Sequence, residues 1–195
     1  MPRITRDSLM TLEAYSRARP EFRARVMAHK KNRTLHVGDH VTLIFEDELT
    51  IRYQIQEMLR AERVFEEAGI QDELDAYNPL VPDGANWKVT MMIEYADPAE
   101  RSRMLARLIG VEDRVWVQVQ GCARVYAVAD EDLERENAEK TSSVHFLRFE
   151  VEPAMVQALR RGAALAVGID HPEYSVSIGA VPAPVHASLV NDLRP

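Results

Sequence analysis

The spacing of apolar residues changes period at position 47, and this switch constrains the fold more than any other feature of the chain. In residues 34–46, TLHVGDHVTLIFE, Leu35 and Val37, then Val41, Leu43 and Phe45, alternate with more polar neighbours, and Gly38-Asp39 lies between the two runs. Period-two alternation puts one side of each run on a core, and a Gly-Asp pair suits a tight turn, so 34–46 reads as a β-hairpin. From Asp47 the spacing becomes helical, with Ile51, Ile55, Met58, Leu59 and Phe65 on one stripe. Asp47 is a favourable N-cap and Gly69 a favourable terminator, so one long helix is expected over about 48–68. Tyr53, Glu57 and Val64 make a second, mixed face, as on a helix covered from two sides.

The same reading extends both ways. Upstream, Thr5 or Asp7 caps a helix carrying Leu9, Leu12, Tyr15 and Ala18; Pro20 interrupts or restarts it, and Phe22, Val26 and Met27 continue it. Downstream, 75–88 reads as a long loop punctuated by Pro79, Pro82 and Gly84, with Trp87 embedded in it. Then come a strand at 89–95, a helix at 98–109 stopped by Gly110, and a hairpin of 115–119 with 125–129 around Gly121-Cys122. Residues 130–143 read as a solvated acidic segment, helical in part. A strand at 144–151, a helix from Pro153 to Gly162, strands at 165–169 and 174–178, and a short helix after Pro184 complete the chain. The expected class is α+β, with a largely antiparallel sheet, an N-terminal helical segment, a β-hairpin and the long helix. Residues 1–195 read as a single domain, with 1–33 as a basic helical arm.

That arm is set apart by charge. Residues 1–33 hold nine Arg or Lys and three acids, a net +6 against −7 for the whole chain, which leaves −13 on the remainder. A basic arm on an acidic body fits either an acidic partner or nucleic acid. No aromatic-and-basic motif accompanies the charge, so packing on the chain's own acidic surface is the simpler expectation, and nucleic acid is not expected. No apolar run approaches membrane-spanning length, and MPRITRDSLM lacks the apolar core of a signal peptide. One cysteine excludes an intrachain disulfide and any cysteine-built zinc or iron–sulfur site, which fits a reducing cytoplasm. Cys122 itself reads as an incidental surface thiol, with Arg124 its only close cation.

Familiar catalytic motifs are absent: no P-loop, no GxGxxG, no GxSxG and no HExxH. Glu62 is the oddest residue, because helical phase puts it among Ile55, Met58 and Phe65. A carboxylate there must find a partner or change its pKa. A salt bridge to an arginine of the first helix is the plain expectation; a ligand or general-base role is the alternative. Of the histidines, His36 and His40 flank the hairpin turn, His29 ends the basic helix, His145 lies in VHFLRF, and His171 sits in Asp170-His171-Pro172 past a strand end. Glu62 with His29, His145 and His171, and Asp170 beside them, would suffice chemically for iron or zinc. Spacing alone does not bring them together, and each histidine taken singly is more simply structural.

Several strings carry a resemblance. FEDELTIRYQIQEMLRAERVFEEAGIQDELDAYNPLVPDGANWKVTMMIEY, GVEDRVWVQV, EKTSSVHFLRFE and GIDHPEY together resemble a bacterial family catalogued as domain of unknown function 3501, over nearly the whole chain. The resemblance assigns no catalytic residue. It implies a role near peroxide or redox stress, with a rubrerythrin-like protein or an iron–sulfur oxidoreductase as partner. The leading expectation is an accessory factor of such a system that acts by binding a partner protein or a metal, with a homo-oligomer open to it; the alternatives are a metal-dependent enzyme with a carboxylate–histidine site, Glu62 or Glu57 within reach of His29, His145 or His171, and a nucleic-acid-binding regulator through the arm.

Overall fold

In the computed structural model, which describes residues 3–131, 135 and 139–194, two antiparallel sheets face each other across one core, and a helical layer lies on the outer side of the first. The elements run in chain order. Helix α1 (Leu12–Lys30) precedes strands β1 (Thr34–Val37) and β2 (Val41–Glu46) and helices α2 (Glu48–Glu62) and α3 (Glu67–Tyr77). Strand β3 (Asn86–Ile93), helix α4 (Pro98–Arg107) and strands β4 (Val115–Val119), β5 (Arg124–Tyr126), β6 (Val128–Ala129) and β7 (Val144–Glu150) follow. Helix α5 (Pro153–Arg160), strands β8 (Leu165–His171) and β9 (Tyr174–Ile178) and helix α6 (Ala183–Asn191) complete it. One sheet has the order β1-β2-β3-β7-β6, the other β5-β4-β8-β9, and every paired strand is antiparallel. The α+β class with an N-terminal helix and a hairpin is as expected.

Alternation decides which face meets the core. Leu43, Phe45, Val89, Met91, Leu147 and Phe149 of the first sheet are buried together with Val115, Val117, Val167 and Ile169 of the second. Each such side chain contributes about 1.5–3 kcal/mol on leaving water. Helix α2 is covered on two sides, as its two faces lead one to expect. Ile51, Ile55 and Leu59 pack with Ile70 and Leu74 of α3, and Tyr53 packs with Tyr15, Phe22 and Val26 of α1. Asp47 caps α2 by accepting from the Thr50 amide at 3.0 Å, while the Thr50 hydroxyl accepts from the Asp47 amide; a reciprocal cap is worth about 1 kcal/mol.

The structure corrects the expected long helix. It ends at Glu62, where Arg63 turns left-handed at φ 57°, and Gly69 falls inside α3 instead of closing α2. The apolar stripe explains why. After Leu59 come Arg60, Ala61, Glu62 and Arg63, which offer nothing to bury, so the chain folds back and α3 covers the stripe. Met58 is half-buried and Phe65 is 72% exposed, against the burial expected of both. Pro20 neither interrupts nor restarts α1, which is continuous; Ser16, whose carbonyl loses its helical partner, is exposed and open to water. That helix begins at Leu12 behind a Thr11 cap, and Thr5 introduces only a short turn at Arg6–Ser8.

Two loop readings also change. Trp87 lies in β3, not in a long loop; it is buried, and its Nε1 donates to the Leu189 carbonyl at 3.0 Å, which fastens α6 to the sheet. Residues 125–129, expected as one hairpin arm, divide between the sheets: β5 pairs with β4, and β6 pairs with β7. Of the expected partial helix at 130–143, residues 132–134 and 136–138 lie outside the described residues, and the others are not helical. Asp130, half-buried, and Thr141, buried, turn inward rather than out to solvent.

Candidate functional site

The strand that changes sheets delivers Asp130 to the rim of the core. Asp130 takes φ 49°, a conformation that Asp tolerates better than most residues. Its amide donates to the Phe146 carbonyl at 2.8 Å, and its Oδ1 accepts from the Phe146 amide at 2.9 Å. Asp130 is thereby pinned beside His145 on the inward face of β7. There its Oδ2 lies 2.6 Å from His145 Nδ1. Glu112 reaches the same point from the short turn Glu112–Arg114 that leads into β4. Thr141 is held by its amide on the Leu105 carbonyl at 3.1 Å.

Around His145 Nε2 the oxygens crowd. Thr141 Oγ1 and the Ser142 carbonyl each lie at 3.0 Å and Glu112 Oε2 at 3.8 Å, while Thr141 Oγ1 is 3.4 Å from Glu112 Oε2. Nε2 carries at most one hydrogen, so it cannot serve three oxygens. His145, Thr141 and Glu112 are all buried, at 0%, 1% and 5% exposure. Arg135 Nε approaches Asp130 Oδ1 at 3.3 Å from the rim, and its guanidinium lies over the Phe146 ring. Glu112, Asp130 and His145 each offer a ligand atom within 4.8 Å of the others, the one such grouping of three found among the described residues.

The other expected ligands lie apart from this cluster. Glu62 ends α2, exposed, and no hydrogen bond or ion pair holds it among the described residues. Neither the expected arginine partner nor a ring of ligands surrounds it. Its charge is felt by Glu73, whose carboxyl is pushed up by burial first and by Glu62 and Asp72 after that. His29 Nε2 contacts Asp47 Oδ2 at 2.5 Å. His171 donates from Nε2 to the Ile109 carbonyl at 3.1 Å and accepts at Nδ1 from the Glu173 amide at 3.2 Å, so both ring nitrogens are engaged. Asp170 accepts from the Tyr126 hydroxyl at 2.6 Å. Of the expected set, His145 alone lies among gathered carboxylates. Sequence reading missed Glu112, Asp130 and Thr141. The signals available were weak: an acid inside the apolar GVEDRVWV, and an Asp directly after a strand.

The basic arm is not one open face. Arg19 holds Glu57 through two hydrogen bonds of 2.7 and 2.8 Å, and the Tyr15 hydroxyl donates to Glu57 as well. Arg17 pairs with Glu13 one turn away. Arg33 is buried, with Nε on the Phe45 carbonyl at 2.7 Å, Nη2 on the Glu46 carbonyl at 3.1 Å, and both Nη atoms on Asp192. Among the described residues, no helix is long and apolar enough to cross a membrane.

Comparison with known proteins agrees with this architecture. A crystal structure of a novel protein of unknown function from Burkholderia pseudomallei K96243 is similar to this chain at 56% identity and a TM-score of 0.95, covering 99% of this chain and 100% of that one. No curated protein matches. Residues 3–193 match the family described as Protein of unknown function (DUF3501), and the chain belongs to that family.

Proposed function

We propose that the protein is a metal-binding protein that holds one divalent cation, zinc or iron, at His145 and Glu112, with Thr141 Oγ1 and the Ser142 carbonyl completing the shell. The carrying observation is the spacing of the oxygens around Nε2. Ligands about 2.1 Å from a metal lie about 3.0 Å apart at a right angle and about 3.4 Å apart in a tetrahedron. Separations of 3.0, 3.0 and 3.4 Å fall on those values, and the 3.8 Å gap needs only a small turn of the Glu112 side chain. Asp130 accepts the Nδ1 hydrogen and so presents the Nε2 lone pair to the centre, the usual arrangement behind a ligating histidine. One imidazole with oxygen donors suits zinc or iron better than a thiolate-seeking ion.

The same atoms outline an Asp130–His145–Thr141 hydrogen-bonded triad, which in an open cleft would activate a hydroxyl nucleophile. Thr141 and His145 are buried, at 1% and 0% exposure, which favours a single small ion over an organic substrate. An accessory role therefore suits the site better than catalysis. Its setting in peroxide or redox stress, beside a rubrerythrin-like or iron–sulfur partner, rests on the family resemblance and would favour iron. The experiment is metal analysis of untagged protein, as purified and after loading with zinc or iron(II) under anaerobic conditions. About one equivalent in the wild type and none in His145→Gln is expected. An unmetallated protein after both loadings means that the cluster is a hydrogen-bonded knot and the reading fails.

A further inference from the structure

The outer face of the first sheet is incompletely roofed. Its side chains, among them Ile44, Thr90, Met92, Val144 and Phe146, are half-buried beneath the helical layer rather than packed against it. Two cavities remain there, of about 240 and about 210 Å³. Leu80 and Phe146 line both, so the two adjoin on the outer face of the sheet.

The second cavity has a charged end. Lys88 and Arg148 are directly opposite each other on β3 and β7. Arg148 is taken up by Glu131, through bonds of 2.7 and 2.8 Å, and by Glu150. Lys88 makes no hydrogen bond or ion pair among the described residues. Burial pushes its ammonium below the ordinary value; Glu131 opposes that and Arg148 adds to it. An ammonium at the end of an apolar trough, beside a guanidinium already neutralised, calls for an anion attached to an apolar body.

We propose that this cleft binds a linear amphipathic carboxylate, with its chain over Phe146 and Met92 and its carboxylate on Lys88. The site is on the opposite face of the sheet from His145 and does not depend on a metal there. Decanoate and decan-1-ol are the probes, with binding followed by calorimetry and by the methyl resonance of Met92. Decanoate should bind at least tenfold more tightly than decanol and move the Met92 signal. Lys88→Gln should erase that preference, and Lys88→Arg should keep it. The Met92 signal is read on the wild type, so the test survives a variant that fails to fold. Equal affinity for acid and alcohol, an unmoved Met92 signal, or unchanged decanoate binding in Lys88→Gln at native circular dichroism would each overturn the proposal.

Discussion

Among the described residues, the buried polar clusters around Arg33 and His145 are built on opposite plans. Around Arg33 a single guanidinium sits at the centre and its hydrogens point outward, onto the carbonyls of Phe45 and Glu46, the Ser188 hydroxyl and the Asp192 carboxylate. Donors and acceptors match, and the cluster ties α6 to the β2–α2 junction. Around His145 the centre is an imidazole, and Asp130, Ser142, Thr141 and Glu112 all turn oxygens toward it. The first cluster brings its own cation; the second gathers acceptors around a ring with two nitrogens. A buried guanidinium is always charged and fixes structure, whereas a histidine among oxygens has a lone pair to give.

The largest expected effect tests the first plan. Arg33→Met removes the central cation and strands Asp192 and two carbonyls, which should cost about 3–5 kcal/mol in a denaturant titration. Survival with a loss under about 1 kcal/mol would mean that water, not Arg33, satisfies those acceptors. Next comes the second plan. A cation at a hundredfold excess over its dissociation constant adds about 2.7 kcal/mol to stability. Zinc or iron(II) should therefore raise the melting temperature of the wild type and leave that of Glu112→Gln unchanged. An equal response in both would remove Glu112 from the shell.

Acid sharpens the contrast further. The Glu57 carboxyl is held at about 2, chiefly by its hydrogen bonds from Arg19, against an ordinary 4.5. A lowered folded-state pKa gives stability that is present above the ordinary value and lost as pH falls through the lowered one. The advantage of the wild type over Glu57→Gln should thus hold at neutral pH and fade from pH 4.5 toward 2. Asp47 acts in the same sense: burial raises its carboxyl, but Arg33, the Thr50 amide and His29 together hold it below the ordinary value, whereas Asp192 on the same Arg33 is pushed up by burial and acts in the opposite sense. A constant difference across that range would show that Glu57 contributes shape and not charge. The smallest effect belongs to Glu62→Gln, which touches neither cluster. It should move stability by less than about 0.5 kcal/mol and leave metal content alone.

What could be read from the chain alone follows from how local each signal is. The hairpin at 34–46 and the Asp47 cap were legible because a period-two run, a Gly turn and an N-cap act within a few residues of themselves. The same local reading failed at Glu62. Helical phase put it in the apolar stripe, but the phase means nothing once the chain leaves the helix, and it leaves because α3 offers Ile70 and Leu74 to the stripe that ends at Leu59. The candidate metal centre was least legible. Its residues come from a turn before β4, the end of β6, the segment before β7, and β7 itself. Within the sequence Glu112 and Asp130 look like ordinary surface acids.

The sequence by itself determined the elements, the face each turns to the core, and the presence of one histidine within an apolar strand. Only the tertiary structure decided that residues 124–129 change sheets, that Asp130 thereby reaches His145, and that Lys88 faces a trough with no hydrogen-bond or ion-pair partner among the described residues. The reason is physical: hydrophobic period and capping are properties of neighbouring residues, whereas the convergence of polar atoms depends on strand order, which many distant contacts set together.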